Sequence, residues 1–427
     1  MTFYRIFAVA LVALPTASTA QEAALWLRGA QVVDPATRSV IARDILIVDG
    51  RVAAPDTTVP TGTREIDVRG KWILPGLVDL HVHFPANALP DGKYEDLTLH
   101  ETARRMLYCG VVAFLDLGTS TPAEFFAARD RQRAQPLAAT DEADLYGAGT
   151  PFGFWVMRDP AAAHERLDSY LKQYRPDVIK IILQHRQGRT ASAGEQAALA
   201  AVFAGAKTAG LKTVVHVGSW EDARAAVAGG ATAITHFDDG AVIPDELADE
   251  WARRGILSVP TMAVQCDMAA IVQHHEMLND LLLCAVTPSA TRARYRENQN
   301  FSNRAVRTIG WQIAGRDHDF ATLVRLRQRG VVFLTGSDTN NLGTFQGYSL
   351  HREIQLLAEA GLSNWDALAA ATTRAAEFLG RGSGIQNGDI AELVVLDADP
   401  TTDVANTKKI FAVVHHGQVI DRRALKE

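Results

Sequence analysis

The 427-residue sequence is poor in cysteine and lacks several common catalytic motifs. Its three cysteines are too few for a disulfide framework, and no CxxC or CxxH spacing indicates a cysteine-based zinc site. A disulfide between Cys266 and Cys284, with Cys109 as a buried thiol, and three unpaired thiols fit the sequence equally well. No GxSxG motif and no glycine-rich phosphate loop occurs, so neither serine-hydrolase chemistry nor a phosphate-binding loop is supported.

The chain also lacks a strong charge of one sign. Its formal net charge is −6 at pH 7, which becomes −7 without the first twenty residues because they contain one charged residue, Arg5. This mild acidity does not indicate binding to nucleic acid or to an anionic membrane surface. With 47% hydrophobic residues, the chain can bury a large core.

Apolar runs of membrane-spanning length are absent. The N-terminal run, residues 6–14, is about half of the roughly 20 residues that a spanning helix needs. It follows Arg5 and precedes small residues that end at Ala20, so residues 1–20 are predicted to be a secretory signal peptide. We therefore expect a periplasmic or secreted bacterial protein that has no membrane span once the signal is removed.

Short alternating apolar runs at both ends of the chain predict β-structure. Asp49-Gly50 lies between two such runs and is a hairpin signal. Comparable runs return near the C-terminus, so residues 21–75 and 381–427 are predicted to be the two parts of one small β-sandwich domain.

Between these blocks, apolar strands alternate with helical segments. This alternation over residues 76–380 predicts an α/β fold, a (β/α)8 TIM-like barrel. Ser192 and Glu195 form a capping-box signal for one of the linking helices. Residues 263–330 form a long, largely helical insertion, which we expect over the active face. The eight predicted strands are residues 77–84, 111–118, 143–149, 177–183, 212–218, 232–237, 256–262 and 331–338.

Six polar residues fall at or near the carboxyl ends of five of these strands. In DLHVHF, His81 and His83 share one face of a strand, and Lys180 interrupts the apolar strand VIKII. Each residue alone would most often be structural. Together they converge on one rim of the barrel, where imidazoles and a carboxylate favour a metal. The six residues are His81, His83, Lys180, His216, His236 and Asp338.

These motifs resemble the amidohydrolase superfamily, in particular the branch of imidazolonepropionase-like proteins and prolidase-related, metal-dependent dipeptidases. The matching segments are LPGLVDLHVHF, VIKI, VVHVG, THF, LTGSDT and GDIAELVVLDADP. The resemblance implies two divalent ions, usually zinc, one held by His81, His83 and Asp338 and the other by His216 and His236. It also implies that Lys180 bridges them in its N-carboxylated form. That modification is chemically sensible because burial lowers a lysine pKa and a neutral amine can add carbon dioxide.

The same resemblance implies hydrolysis of an amide bond of a small molecule, such as a dipeptide or N-acyl amino acid, by a hydroxide shared between the metals. Asp338 is the predicted general base. Arg186 and Arg189 could bind a terminal carboxylate or could be solvated loop charges. Alternatives are a lactonase, esterase or phosphotriesterase-like activity, a mononuclear deaminase-like hydrolase and, least favoured, a non-catalytic binding protein. A homo-oligomer is compatible with the sequence.

Overall fold

The computed structural model describes residues 24–426 except 136, 138, 154–158, 185–190 and 238–239. The predicted signal peptide, residues 1–20, and the two candidate substrate residues Arg186 and Arg189 lie outside the described residues. No helix in the described part of the chain combines the length and apolar character needed to cross a bilayer.

Strands and helices alternate through the middle of the chain, whereas both ends are strand-rich. The strands are β1 (Ala24–Asp34), β2 (Ser39–Val48), β3 (Arg51–Val52), β4 (Arg64–Asp67), β5 (Trp72–Pro75), β6 (Leu77–Val82), β7 (Ala86–Ala88), β8 (Tyr94–Asp96), β9 (Val111–Asp116), β10 (Asp144–Gly147), β11 (Phe152–Gly153), β12 (Val178–Leu183), β13 (Lys212–Val217), β14 (Ala233–Thr235), β15 (Leu257–Val259), β16 (Leu393–Leu396), β17 (Ile410–His415) and β18 (Gln418–Val419).

The α-helices are α1 (Leu99–Tyr108), α2 (Pro122–Ala134), α3 (Pro160–Tyr174), α4 (Ala193–Thr208), α5 (Trp220–Gly229), α6 (Asp245–Arg253), α7 (Met262–Gln273), α8 (Leu281–Val286), α9 (Ser289–Arg296), α10 (Asn303–Gln328), α11 (Tyr348–Glu359), α12 (Asn364–Ala371) and α13 (Thr373–Phe378). Short 3₁₀ helices cover His275–Asn279, Asn298–Asn300 and Val404–Lys408. The capping box predicted at Ser192 and Glu195 is present at the start of α4.

Both chain ends contribute to one mixed sheet, in the order β18-β17-β16-β5-β1-β2-β3 with β4 beside β1. The predicted Asp49-Gly50 hairpin joins β2 to β3, and both turn residues have positive φ, as a type I′ turn requires. One face of this sheet buries its own apolar cluster, which includes Leu27, Ile47 and Val395. Strands from the two ends therefore pair in one sheet, and the β-sandwich domain stays a prediction.

The central strands form the parallel arrangement of a TIM-barrel-like α/β fold. β6, β9 and β10 make one parallel arc and β11 to β15 another. The Asp177 amide donates to the Gly147 carbonyl at 2.9 Å between the two arcs. Seven of the eight predicted strands are regular strands of these arcs: β6, β9, β10 and β12 to β15.

The predicted eighth strand, residues 331–338, is not a regular strand. It makes isolated parallel bridges, Phe333 with Ser258 and the following Thr339 with Val82, together with backbone hydrogen bonds to both neighbours. The ladder stops because Asp338 and Asn340 have φ of 52° and 84°, which turns the chain away. This segment nevertheless lies between β15 and β6 and links the two strands by backbone hydrogen bonds.

The insertion, expected at 263–330, consists of α7 to α10. It packs against the hairpin formed by β7 and β8, which follows the first barrel strand: the Ser302 amide donates to Pro90 at 2.8 Å, and Arg294 pairs with Asp91 at 2.6 Å. The possible Cys266–Cys284 disulfide is not formed, because both thiols are free on separate helices. The contacts that hold the insertion against the hairpin are therefore noncovalent.

Candidate metal centre

The six predicted residues line one cavity. His81, His216 and His236 lie at or next to the carboxyl ends of β6, β13 and β14, and His83 follows β6. Lys180 lies within β12, and Asp338 is the last residue of the irregular segment 331–338. The cavity has a volume of about 350 Å³. Side chains contributed by five separate strand segments thus meet at the carboxyl edge of the sheet, as in other barrels of this architecture.

The HxH pair and the aspartate form the tightest part of this centre. The Nε2 atoms of His81 and His83 are 3.2 Å apart. They lie 3.5 Å and 3.1 Å from the same atom, Oδ1 of Asp338. Two imidazole nitrogens and one carboxylate oxygen around a common point are a suitable ligand set for a divalent ion.

His216 and His236 form the adjoining part. Their ring centroids are 4.6 Å apart, and the His236 ring is 4.9 Å from that of His81. Nδ1 of His236 lies 2.7 Å from the Thr261 hydroxyl. Within the described residues, the buried Nε2 of His216 has no hydrogen-bond partner. An unpaired buried imidazole nitrogen beside a second histidine fits a metal ligand better than a packing residue.

Lys180 is 2% exposed on β12, and its Nζ donates to the Thr235 hydroxyl at 3.5 Å. Burial lowers the Lys180 pKa to about 7, although Asp338 and Asp116 oppose that shift. A large fraction of the side chain is therefore a neutral amine near neutral pH. This is the protonation state that N-carboxylation requires.

Burial also keeps three of the four imidazoles neutral. It lowers the pKa of His81 and His216 well below the usual value and that of His236 to about 4. His83 differs: burial alone would lower its pKa, but its contact with Asp338 raises it. Burial would raise the Asp338 pKa, but His81, His83 and His236 hold it well below its usual range. Neutral imidazoles and an ionised carboxylate are the forms that bind metals.

The backbone at this centre is held in unusual conformations. His236, Thr261 and Asp338 all have φ between 52° and 70°. Non-glycine residues rarely adopt this region, and such strain is concentrated at functional sites. The motif sequences THF and GSD do not reveal these torsion angles.

Sequence reasoning did not assign a role to Asp79, although it shares the face of His81 and His83. Its Oδ1 accepts hydrogen bonds from the amides of His81 and Ser337, at 3.1 Å and 3.0 Å, and its Oδ2 accepts from the Ser337 hydroxyl at 2.5 Å. Asp79 therefore fixes the HxH strand to the segment that carries Asp338. Burial raises its pKa to about 6.

Asp116, at the end of β9, is a second residue that sequence reasoning missed. It is fully buried, its Oδ1 accepts from the Gly118 amide at 3.0 Å, and its Oδ2 has no partner among the described residues. Burial raises its pKa to about 7, against the attraction of His83. The signal that could have found it is its position at the carboxyl end of the second barrel strand.

A second buried group of possible ligands lies at the opposite end of the central strands, where β10 begins. It contains a buried guanidinium: Arg381 is 2.7 Å from Asp144 and 3.6 Å from Glu392. His415 and His416 contact these carboxylates at 2.6 Å and 3.0 Å. Because Arg381 already compensates the carboxylates, we interpret this group as an internal ion-pair network that joins the terminal sheet to β10.

The chain matches a known protein family over most of its length. Residues 72–420 match the model of the amidohydrolase family. The chain belongs to the amidohydrolase family. This confirms the predicted superfamily and supports the prediction of a metal-dependent hydrolase that acts on C–N bonds.

Two characterised relatives are similar to this chain over short segments. An adenine deaminase from Deinococcus radiodurans is 41% identical over 71 residues, which cover 16% of this chain and 13% of that protein. A dihydroorotase from Anaeromyxobacter sp. (strain K) is 32% identical over 127 residues, which cover 29% and 28%. These matches span less than a third of either relative.

Several proteins of known structure share the fold over nearly the whole length of this chain. Molinate hydrolase superposes with a TM-score of 0.73 at 20% identity, covering 94% of this chain and 95% of that one. A Xaa-Pro dipeptidase superposes with a TM-score of 0.70 at 17% identity, covering 93% and 99%. At these identities, the similarity establishes the fold.

Proposed function

We propose that this amidohydrolase is an exported, binuclear metal-dependent enzyme that hydrolyses C–N bonds of small amides. The convergence of His81, His83, Lys180, His216, His236 and Asp338 on one cavity carries the proposal. Divalent ions, which we propose to be zinc, would polarise the scissile carbonyl and lower the pKa of water.

The positions of the six residues suggest which of them would bind each of the two metal ions. His81 and His83 contact Asp338, and His216 lies beside His236, whose Nδ1 is 3.9 Å from the Asp338 carboxylate. Lys180 would bridge the two ions after its neutral amine forms an N–C bond with carbon dioxide and loses a proton. The resulting carbamate supplies two oxygen atoms, whereas an ammonium group would repel both ions.

Asp338 is the proposed general base. Its carboxylate stays ionised because its pKa is well below the usual range. It would take a proton from the attacking water and return it to the leaving nitrogen. The Asn341 amide donates to Asp338 Oδ1 at 2.9 Å, which holds the carboxylate in one orientation.

Dipeptides and N-acyl amino acids are the proposed substrates. A cavity of about 350 Å³ is at the lower end of the range for small-molecule sites. One solved neighbour is a Xaa-Pro dipeptidase, and another is a prolidase complexed with N-methylphosphonate-L-proline. Lactones, esters and phosphotriesters belong in the same screen because the predicted chemistry also suits them.

The mononuclear deaminase-like reaction is the second candidate. Only His81, His83 and Asp338 place their ligand atoms within 4.8 Å of one another in this cavity, among the described residues, and one relative is an adenine deaminase. Elemental analysis separates the two proposals, because the binuclear enzyme would hold two ions per chain and the deaminase-like enzyme one.

The proposed domain division follows the two kinds of structure. Residues 76–380 would be the hydrolase barrel with its insertion at 263–330, and residues 21–75 with 381–427 would form a β-sandwich. Export rests on the sequence of residues 1–20. Mass spectrometry of the protein recovered from the periplasm or medium tests it, since cleavage after Ala20 would leave Gln21 as the N-terminus.

The enzymatic proposal is tested with metal-loaded protein and a substrate panel. Release of an amine from dipeptides or N-acyl amino acids, lost on chelation, is the expected result. Activity confined to lactones or phosphotriesters would overturn the substrate class, and hydrolysis that survives complete metal removal would overturn the metal-dependent mechanism.

A further inference from the structure

One face of α10 lines the metal-centre cavity. Arg304, Thr308 and Trp311 follow the spacing i, i+4, i+7, so they lie on the same side of the helix, and all three line the cavity. This pocket face of α10, defined by these three residues, comes from the insertion and was not assigned a role from the sequence.

The position of α10 is fixed by a buried glutamine next to the pocket face. Gln312 is 2% exposed; its Oε1 accepts a hydrogen bond from the Ala269 amide at 2.7 Å, and its Nε2 donates to the Val264 carbonyl at 2.6 Å. Both partners belong to α7. This two-way contact fixes the turn of α10 that carries Trp311 against α7.

Arg304 is also oriented before any ligand binds. Its Nη1 donates to the Tyr94 hydroxyl at 3.0 Å, and Tyr94 lies on the hairpin that follows the first barrel strand. A guanidinium has five N–H donors in a planar fork, so this contact leaves further donors for a ligand carboxylate. The hairpin and α10 together thus present a cation at the mouth of the cavity.

The composition of the cavity favours an anionic ligand. Among the described residues that line the cavity, Asp338 is the one residue with a carboxylate. His81 and His83 already contact that carboxylate. Arg304 brings a guanidinium group to the same lining. Trp311 also lines the cavity and is 38% exposed, so part of its apolar ring is not covered by the protein.

We propose that Arg304 binds the carboxylate of the substrate and that Trp311 packs against its apolar side chain. The preferred substrates are then N-acyl amino acids or dipeptides that have a free C-terminal carboxylate and an apolar C-terminal side chain. This inference rests on the proposed hydrolysis for its kinetic test, but the binding test below is independent of turnover.

The test compares N-acetyl-L-leucine with N-acetyl-L-leucinamide, which differ in the carboxylate alone. In Arg304→Gln, we expect kcat/KM for acetate release from the acid to fall roughly tenfold to a hundredfold, as for loss of a charge-assisted hydrogen bond, with little change for the amide. Arg307→Gln is the matched control, since Arg307 is exposed on the same helix and does not line the cavity. An equal loss for both ligands would indicate a structural role and overturn the proposal.

Calorimetric titration with N-acetyl-L-leucine separates this inference from the proposed hydrolysis. If the wild-type protein binds the acid but does not cleave it, and Arg304→Gln alone loses binding, the carboxylate site stands although hydrolysis fails. If neither turnover nor binding of the acid is detected, the carboxylate site is wrong. Equal binding by the wild-type protein and Arg304→Gln also contradicts it.

The apolar part of the proposal has its own test. Trp311→Ala should reduce the preference for N-acetyl-L-leucine over N-acetylglycine roughly fivefold, because the leucine side chain loses buried apolar contact. Ile313→Ala is the control: Ile313 is 55% exposed on the same helix and does not line the cavity. An unchanged leucine-to-glycine ratio in Trp311→Ala would exclude Trp311 from side-chain recognition.

Discussion

At the scale of single residues, Asp338 has the most demanding environment. It carries a left-handed φ of 52°, is 6% exposed and faces three of the four site histidines. Asp338 therefore has the position proposed for a metal ligand and the negative charge that a general base needs. Substitution can separate these two properties.

Asp338→Asn should reduce kcat by at least a hundredfold while much of the metal stays bound. The amide oxygen can still face the ions, but the side chain can no longer accept a proton. Steady-state kinetics and metal content measured on the same preparation test this. Near wild-type activity would exclude Asp338 as the base.

Lys180→Ala should lower metal occupancy and activity together, because it removes the proposed bridge. Short carboxylic acids such as acetate should restore part of the activity by occupying the vacated space. The exposed Lys172→Ala provides the control, since α3 carries this residue on the protein surface. Full metal occupancy in Lys180→Ala would contradict N-carboxylation.

Glu353, on α11, provides a pH-dependent prediction. Its Oε2 accepts a hydrogen bond from the Ala263 amide at 2.8 Å, and burial raises its pKa to about 8. The folded state therefore binds more protons than the unfolded state between the usual glutamate pKa and about 8, so this residue makes the protein less stable as pH rises through that window.

Glu353→Gln removes this titration while retaining an acceptor for Ala263. Its stability relative to the wild-type protein should improve between pH 5.5 and 7.5, by up to about 1.4 kcal/mol per pH unit for a single proton. Urea unfolding at several pH values measures the difference. A difference that does not change with pH would show that Glu353 does not titrate in this range.

At the scale of structural elements, the contact between β6 and residues 331–338 shapes the metal centre. A Cβ at Gly336 would lie 2.5 Å from the Cβ of His81 and 3.1 Å from its backbone nitrogen. Neither atom is the end of a flexible side chain. Glycine is required here because the two segments approach too closely for any side chain.

Gly336→Ala should therefore destabilise the protein by about 1 to 3 kcal/mol and weaken metal binding, because His81 must move. Gly310→Ala is the matched control: it lies within α10 and has nothing within 4 Å of the added methyl group, so it should be neutral or slightly stabilising. Unfolding curves and metal titrations compare the two. Equal stability of both variants would refute the close approach.

Element positions were predictable where a local pattern determines them. The Asp49-Gly50 turn, the α4 capping box and seven central strands depend on residues near in sequence. The irregular eighth segment was not predictable, because its left-handed residues are stabilised by contacts with distant β6. The same holds for the pocket face of α10, whose location depends on how the insertion packs on α7.

At the scale of the whole molecule, residue type and strand-end position were enough to predict which six side chains meet. The match to the family model over residues 72–420 agrees with the family resemblance that the motifs indicate. Asp79 was missed because its role comes from hydrogen bonds to a segment distant in sequence, and Asp116 was missed because its burial depends on tertiary packing. The substrate was not readable because several further side chains that line the cavity, including Arg304 and Trp311, are contributed by the insertion.

The measurement that tests the central claim most directly is the metal content of the purified protein, determined by elemental analysis together with hydrolysis of N-acetyl-L-leucine before and after chelation. The account predicts two divalent ions per chain and activity that disappears with the ions and returns when they are restored. A protein that binds no divalent ion under metal-replete conditions, and whose activity ignores chelators, would contradict it.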